Sequence, residues 1–106
     1  MTNTTVTAVA ARLDNGETLH IVDVREKEEY AEDNIGAVLV PLSDLRNFDA
    51  DAIEDLKDQE VILQCRSGKR SMEAAMLLEQ MGFTNTVNLE GGIMAWRAAL
   101  GERNIK

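Results

Sequence analysis

The chain has one cysteine, one proline and one histidine in 106 residues, and each scarcity excludes something. A lone cysteine, Cys65, rules out an internal disulfide and fits a reducing compartment. With no second cysteine or histidine near it, no metal site is expected. The single proline, Pro41, and seven glycines that punctuate rather than cluster leave no linker, and no repeat or low-complexity tract is present. No apolar run is long enough to make a membrane-spanning helix. The N-terminus MTNTTVTAVAARLDNG lacks the basic-then-apolar order of a secretory leader, so a cytoplasmic location is expected. Basic residues are also short: eleven Lys and Arg stand against nineteen Asp and Glu, a net charge of -8. Such an acidic surface argues against nucleic acid and anionic membranes as partners.

What remains is ordinary for a soluble globular domain, with 44% hydrophobic and 28% charged residues. The length fits one domain spanning residues 1–106. Without a coiled coil or a long apolar stripe, a monomer is expected. Charge is unevenly placed: twelve of the nineteen acids lie between Glu26 and Glu60, whereas Arg66, Lys69 and Arg70 crowd the lone thiol.

Four short apolar runs read as strands buried on both faces: Leu19 to Val24, Ala37 to Val40, Val61 to Gln64 and Thr86 to Leu89. A fifth is expected near Thr4 to Val6. Between them Ala74, Leu77, Leu78 and Met81 keep the spacing of one helix face and stop at Gly82, and Ile93, Trp96 and Leu100 repeat the pattern before Gly101. Ala8 to Leu13, Lys27 to Glu32 and Ile53 to Leu56 read as shorter helices. Alternating strands and helices predict an open α/β fold with a mainly parallel sheet. In that architecture ligands sit beyond the carboxyl ends of the strands. Cys65 follows the run VILQ, and Asp23 and Arg25 fall at the end of LHIVDV, so all three belong to that edge.

The segment VILQ-CRSGKR-SMEAAMLLEQMG reads as strand, tight loop and helix. A helix starting near Arg70 or Ser71 points its free N–H groups back at the loop. Gly68 lets the loop curl so that successive N–H groups face inward. Arg66, Lys69 and Arg70 add positive charge. Together these favour thiolate over thiol at Cys65 and mark it as a nucleophile rather than a buried packing residue. Loop length separates two chemistries. A phosphatase loop places five residues between cysteine and arginine; here four separate Cys65 from Arg70, and Ser71 stands at the phosphatase position. The tighter loop has room for one extra sulfur atom rather than a phosphoryl group.

CRSGKRS resembles the active-site loop of the rhodanese-like sulfurtransferases. The likeness extends upstream, where IVDVREKEEYAEDNIGAVLVPL is similar to the family's D-x-R, E-(Y/F) and H-I-P-G-A block. Downstream, NLEGGIMAW is similar to its G-G-x-x-x-W block. The resemblance implies a five-stranded, mainly parallel sheet flanked by helices. It implies that Cys65 takes a sulfane sulfur from a small anionic donor such as thiosulfate, forms a persulfide, and passes the sulfur to cyanide, a thiol or a protein acceptor. That covalent persulfide takes the place of a cofactor. Backbone N–H groups from Arg66, Ser67, Gly68, Lys69, Arg70 and Ser71 would cradle the sulfur, with Arg66 and Lys69 on the donor's anionic end and Arg70 bracing the loop. An alternative within the same likeness is a persulfide carrier or interaction module in a sulfur relay. The stretch Asn34-Ile35-Gly36-Ala37 departs from H-I-P-G-A, lacking its His and Pro, and this departure bears on the acceptor.

The other candidates read as structural. Asp23 and Arg25 are expected to brace neighbouring loops through charge-assisted hydrogen bonds, with Arg25 also lending positive potential to the site. His20 lies in a strand pattern, Trp96 belongs to the core, and the five methionines fit helix packing. The acids between Glu26 and Glu60 read as a solvated surface.

Overall fold

The computed structural model describes residues 1–106. The chain opens with an edge strand, β1 (Thr2–Thr4), and turns at once into a helix, α1 (Val6–Asp14). Thr5 makes that turn early, its hydroxyl accepting the Ala8 N–H at 3.2 Å. The strand expected at Thr4 to Val6 therefore lies two residues earlier, and Val6 is already helical. Strand β2 (Ile21–Asp23) leads to α2 (Lys27–Glu32), which starts with a capping box in which the Glu26 N–H donates to the Glu29 carboxylate at 3.1 Å. Strand β3 is only Val38–Leu39. Pro41 then caps α3 (Leu42–Arg46), a helix too short to show a period in the sequence. The expected helix at Ile53 to Leu56 is a 3-10 segment, Asp51–Leu56, broken at Ile53. Strand β4 (Glu60–Gln64), α4 (Lys69–Gln80), β5 (Asn85–Leu89) and α5 (Gly92–Leu100) complete the chain.

The strands form one sheet in the order β1-β5-β4-β2-β3, and every pairing is parallel. From β2 the chain moves outward to β3; from β4 it moves outward the other way, to β5. The crevice between the carboxyl ends of β2 and β4 is thus the switch point of the sheet, where α/β folds bind their ligands. Cys65 leaves β4 there and Arg25 leaves β2 there.

Side-chain alternation divides the core in two. Val22, Val24, Val61, Leu63 and Cys65 face α3 and α4, where Leu42, Leu45, Ala74, Ala75 and Leu78 close over them. Ile21, Ile62, Val87 and Leu89 face α1 and α5, against Val6, Val9, Ile93 and the fully buried Trp96. The inner stripe of α4 is Ser71, Ala74, Ala75 and Leu78. That is the expected helical spacing, but rotated so that Leu77 and Met81 lie at its border. The rotation turns Met72 and Met76 outward, 47% and 62% exposed, and Met94 on α5 is 50% exposed. The packing role expected of the methionines fails at these three positions: on α4 small residues already fill the helix–sheet contact, and on α5 Ile93 and Trp96 fill it.

Two buried side chains depart from the pattern of satisfied polar groups, Thr86 through its hydroxyl and Gln64 through its whole amide. Gln64, the last residue of β4, is fully buried, and neither its amide nitrogen nor its oxygen meets a hydrogen-bonding group. Its neighbour in the sheet is Asp23. Replacing an unpartnered buried amide by an apolar side chain of similar size removes a desolvation penalty. Gln64→Leu is expected to raise the unfolding free energy by about 1 kcal/mol, read as a higher urea midpoint with an unchanged slope.

Candidate active site

The loop after β4 closes around its own cysteine. Cys65 is 1% exposed, and its Sγ accepts the Gly68 N–H at 3.1 Å. Gly68 has a φ of 100°, in the left-handed region that a side chain disfavours, and this conformation aims its N–H inward. From the inner stripe of α4, the Ser71 hydroxyl stands 3.6 Å from Sγ. The loop's carbonyls point the opposite way. The first free N–H groups of α5 hold them there, Ile93 donating to the Cys65 oxygen at 2.9 Å and Met94 to the Arg66 oxygen at 3.1 Å. The contact is so close that a Cβ on Gly92 would stand 2.1 Å from the Cys65 carbonyl oxygen. The glycine pair before Trp96 thus allows α5 to dock on the loop.

These donors set the state of the sulfur. Burial pushes the Cys65 thiol up, but hydrogen bonding with the Ser71 hydroxyl and with the N–H groups of Ser71, Gly68 and Ser67 outweighs it. The result lies below the ordinary thiol value, which favours the thiolate at Cys65. The cations expected to do this work do not lead. Arg66 and Lys69 are exposed side chains at the rim. Arg70 is turned onto Glu29 in a two-pronged pair at 2.7 and 2.8 Å. The loop acts on its sulfur mainly through dipoles.

Around the loop, charged pairs fix its neighbours. Asp23 is fully buried; Arg25 meets its carboxylate at 2.8 Å and reaches on to the Asp33 carbonyl at 2.7 Å. Both serve to tie the end of β2 to the end of α2. Arg97 of α5 clamps Asp33 at 2.8 and 2.9 Å and the Asn34 carbonyl at 3.0 Å. Asn34 completes the turn that the missing His and Pro would otherwise shape, accepting the Gly36 N–H at 2.9 Å and donating to the Tyr30 carbonyl at 3.0 Å. A cleft of about 310 Å³ lies between α2 and the start of α5. Arg25, Glu29, Glu32, Asp33, Ile93, Met94 and Arg97 line it, and Arg66 is the loop residue that reaches its wall.

His20 sits at the opposite, amino end of β2, with its Nε2 2.9 Å from the Gln59 side-chain oxygen. It has no access to the thiol. Two groups at the site escaped the sequence reading. Glu29, the partner of Arg70, was one more acid in an acidic run. Asn88 on β5 accepts the Ser71 hydroxyl proton, and only the β4–β5 register places it there.

Two outcomes follow from this geometry. Gly92→Ala forces α5 off the Cys65 and Arg66 carbonyls and is expected to cost about 1–3 kcal/mol in stability. The same variant should lose most of the thiol's reactivity toward a small alkylating agent. The second outcome concerns acid. The Arg70 guanidinium holds the Glu29 carboxyl down at about 2, against an ordinary 4.5. A carboxyl held low in the folded state adds stability above its unfolded value and loses it as pH falls. Stability should therefore decline between pH 4.5 and about 2, and the decline should be shallower in Glu29→Gln, followed by thermal unfolding across that range.

Comparison with known proteins bears on the same residues. The rhodanese-like domain matches residues 5–99. The putative sulfurtransferase YtwF of Bacillus subtilis (strain 168) is 40% identical over 99 residues, covering 92% of this chain and 91% of that protein. The thiosulfate sulfurtransferase PspE of Escherichia coli (strain K12) is 34% identical over 73 residues, 68% of this chain and 69% of that one. A crystal structure of a rhodanese-like domain protein from Staphylococcus aureus superposes with a TM-score of 0.79 at 31% identity, over 91% of each chain. The superposition covers nearly the whole of both chains, so the fold of this chain, a five-stranded parallel sheet flanked by helices, is that of a rhodanese-like domain. The chain belongs to the rhodanese-like domain family, and sulfur transfer is the activity that membership supports.

Proposed function

We propose that this protein is a thiosulfate-type sulfurtransferase in which Cys65 carries the sulfur. The observation that carries this reading is the inward surroundings of a buried thiol whose pKa lies below the ordinary value: the Gly68 N–H donates to Sγ at 3.1 Å, and the Ser71 hydroxyl stands 3.6 Å from it. The Cys65 thiolate attacks the sulfane sulfur of thiosulfate. The new S–S bond forms as the old one breaks, and sulfite leaves with the bonding electron pair. The terminal sulfur of the persulfide then bears the negative charge that the loop N–H groups are placed to receive. An acceptor nucleophile, cyanide or a thiol, attacks that sulfur and returns Cys65 as thiolate. The cycle is covalent and ping-pong, and it balances with the persulfide alone, without a metal or organic cofactor.

The exposed side chains of Arg66 and Lys69 take the donor's remaining anionic end. Arg70, occupied by Glu29, braces the loop instead. The net charge of -8 opposes an approaching dianion at long range. At physiological salt the screening length is about 8 Å, so distant carboxylates fade and the near cations decide capture. The similarity to PspE, a thiosulfate sulfurtransferase, supports the choice of donor. A monomer working in the cytoplasm fits the acidic surface and the free thiol.

Intact mass after incubation with thiosulfate tests the assignment. A gain of about 32 Da, reversed by cyanide and absent in Cys65→Ser, is the expected result. No gain with thiosulfate, but a gain from a cysteine-desulfurase persulfide, would make the protein a persulfide carrier. No gain at all would overturn the proposal.

A further inference from the structure

Ser71 touches the reacting sulfur, and what stands behind Ser71 decides how it can respond. Its hydroxyl donates to the Asn88 Oδ1, and the Asn88 Nδ2 donates to the Asn3 Oδ1 on the edge strand at 3.2 Å. The Cys65 thiol donates to the Ser71 oxygen. Every hydrogen bond in this row points away from the sulfur, from β4 through α4 and β5 to β1. That direction suits a neutral thiol. An anionic sulfur requires the reverse, because Ser71 has one proton and it must then point at Sγ. Asn88 is 3% exposed, and no further side chain satisfies its amide.

We propose that Asn88 is a positioning residue that lets the Ser71 hydroxyl reverse: its amide accepts the Ser71 proton beside a thiol and donates to Ser71 beside a thiolate or persulfide. A half-turn of the Asn88 amide places NH₂ where the oxygen was, with almost no change of shape. The Nδ2–H then donates to the Ser71 oxygen, the Ser71 O–H donates to Sγ, and the Asn88 Oδ1 accepts from the amide of Asn3. Asn3 is exposed and turns without obstruction. No proton travels along the row. The thiol proton leaves to solvent, and only the donors turn. Few side chains can do this. A carboxylate accepts only and would hold the Ser71 proton away from the sulfur; an apolar residue offers neither role.

The charged groups around the loop stay the same throughout. Asp23 is paired with Arg25 at the end of β2, and Arg70 of α4 with Glu29 of α2. Arg66 and Lys69 are exposed on the loop, Glu90 is exposed beyond β5, and the first turn of α5 carries no charge. The proposal rests on Cys65 being the reacting sulfur, but its test reads the resting thiol and needs no transfer.

The test is the pH titration of the Cys65 thiolate by its ultraviolet absorbance in the full chain. Asn88→Asp is expected to reduce the thiolate fraction at neutral pH about tenfold. Asn88→Ala, which leaves Ser71 free to face the sulfur, should not reduce it. In a Ser71→Ala background the Asp substitution should lose most of its effect, since only through-space repulsion remains. An equal effect with and without Ser71, or an equal loss in Asn88→Ala, would overturn the proposal. The wild-type protein supplies a second reading should a buried Asp prevent folding. The side-chain NH₂ resonances of Asn88 should shift across the Cys65 titration and stay fixed in Ser71→Ala; fixed resonances in the wild type would equally overturn it.

Discussion

The site depends on two hydrogen bonds that never touch the sulfur. Ile93 and Met94, at the start of α5, hold the carbonyls of Cys65 and Arg66. A peptide unit has two poles, so fixing its oxygen outward fixes its N–H inward. The N–H groups fixed in this way are those of Arg66 and Ser67, and Ser67 joins the Ser71 hydroxyl and the N–H groups of Ser71 and Gly68 in bringing the buried Cys65 thiol down against the push of its own burial. A helix N-terminus commonly holds an anion directly. Here that of α5 is spent on carbonyls, and the loop becomes the anion holder in its place. This arrangement explains why the downstream block begins with two glycines. A side chain at Gly92 would occupy the space of the carbonyl it serves.

The loop's formal charges take a different part from the one their position suggests. Two unit charges about 4 Å apart in water interact by only about 1 kcal/mol, and exposed side chains such as Arg66 and Lys69 act in that regime. Arg70 is closer to the core, but Glu29 neutralises it. Dipoles at 3 Å-class contact inside a nearly water-free pocket prevail over screened charges at the rim. The division has a use in turnover. In the proposed cycle, exposed cations that capture an anionic donor would not lock the sulfur, whereas the N–H groups would stay matched to a charge that returns at each turnover.

What the sequence disclosed follows from how local each feature is. Cys65, Gly68 and Ser71 lie in one run, so their relation to a helix start was readable from spacing. Strand runs were readable because β2, β4 and β5 are buried on both faces and rich in β-branched and aliphatic residues. α3 was not, since five residues are too few for a period, and Pro41 is its only local mark. The Arg70–Glu29 pair was hidden because its members lie 41 residues apart and only the fold brings them together. The methionines misled for a related reason. Helical spacing identifies a stripe, but the rotation of α4 was set by how closely Ala74 and Ala75 admit the sheet. Asp23 and Arg25 fall between these cases: their proximity is local, but the Asp33 carbonyl that completes the brace is not.

Parallel pairing finally explains why the second layer of the site comes from β5. Beside β4 the register sets Leu63 against Asn88, and side chains alternate across the sheet. Asn88 therefore shares the α4 face with Cys65, while Val87 and Leu89 join the opposite core. A slip of one residue would put an apolar side chain beneath Ser71 and turn the amide toward Trp96. The edge strand β1 pins that register through Thr2, Asn3 and Thr4, and Asn3 sits directly opposite Asn88. A three-residue strand at the margin of the fold thus bears on the chemistry at its centre, because the direction of the Ser71 hydroxyl passes through two amides that only this pairing aligns.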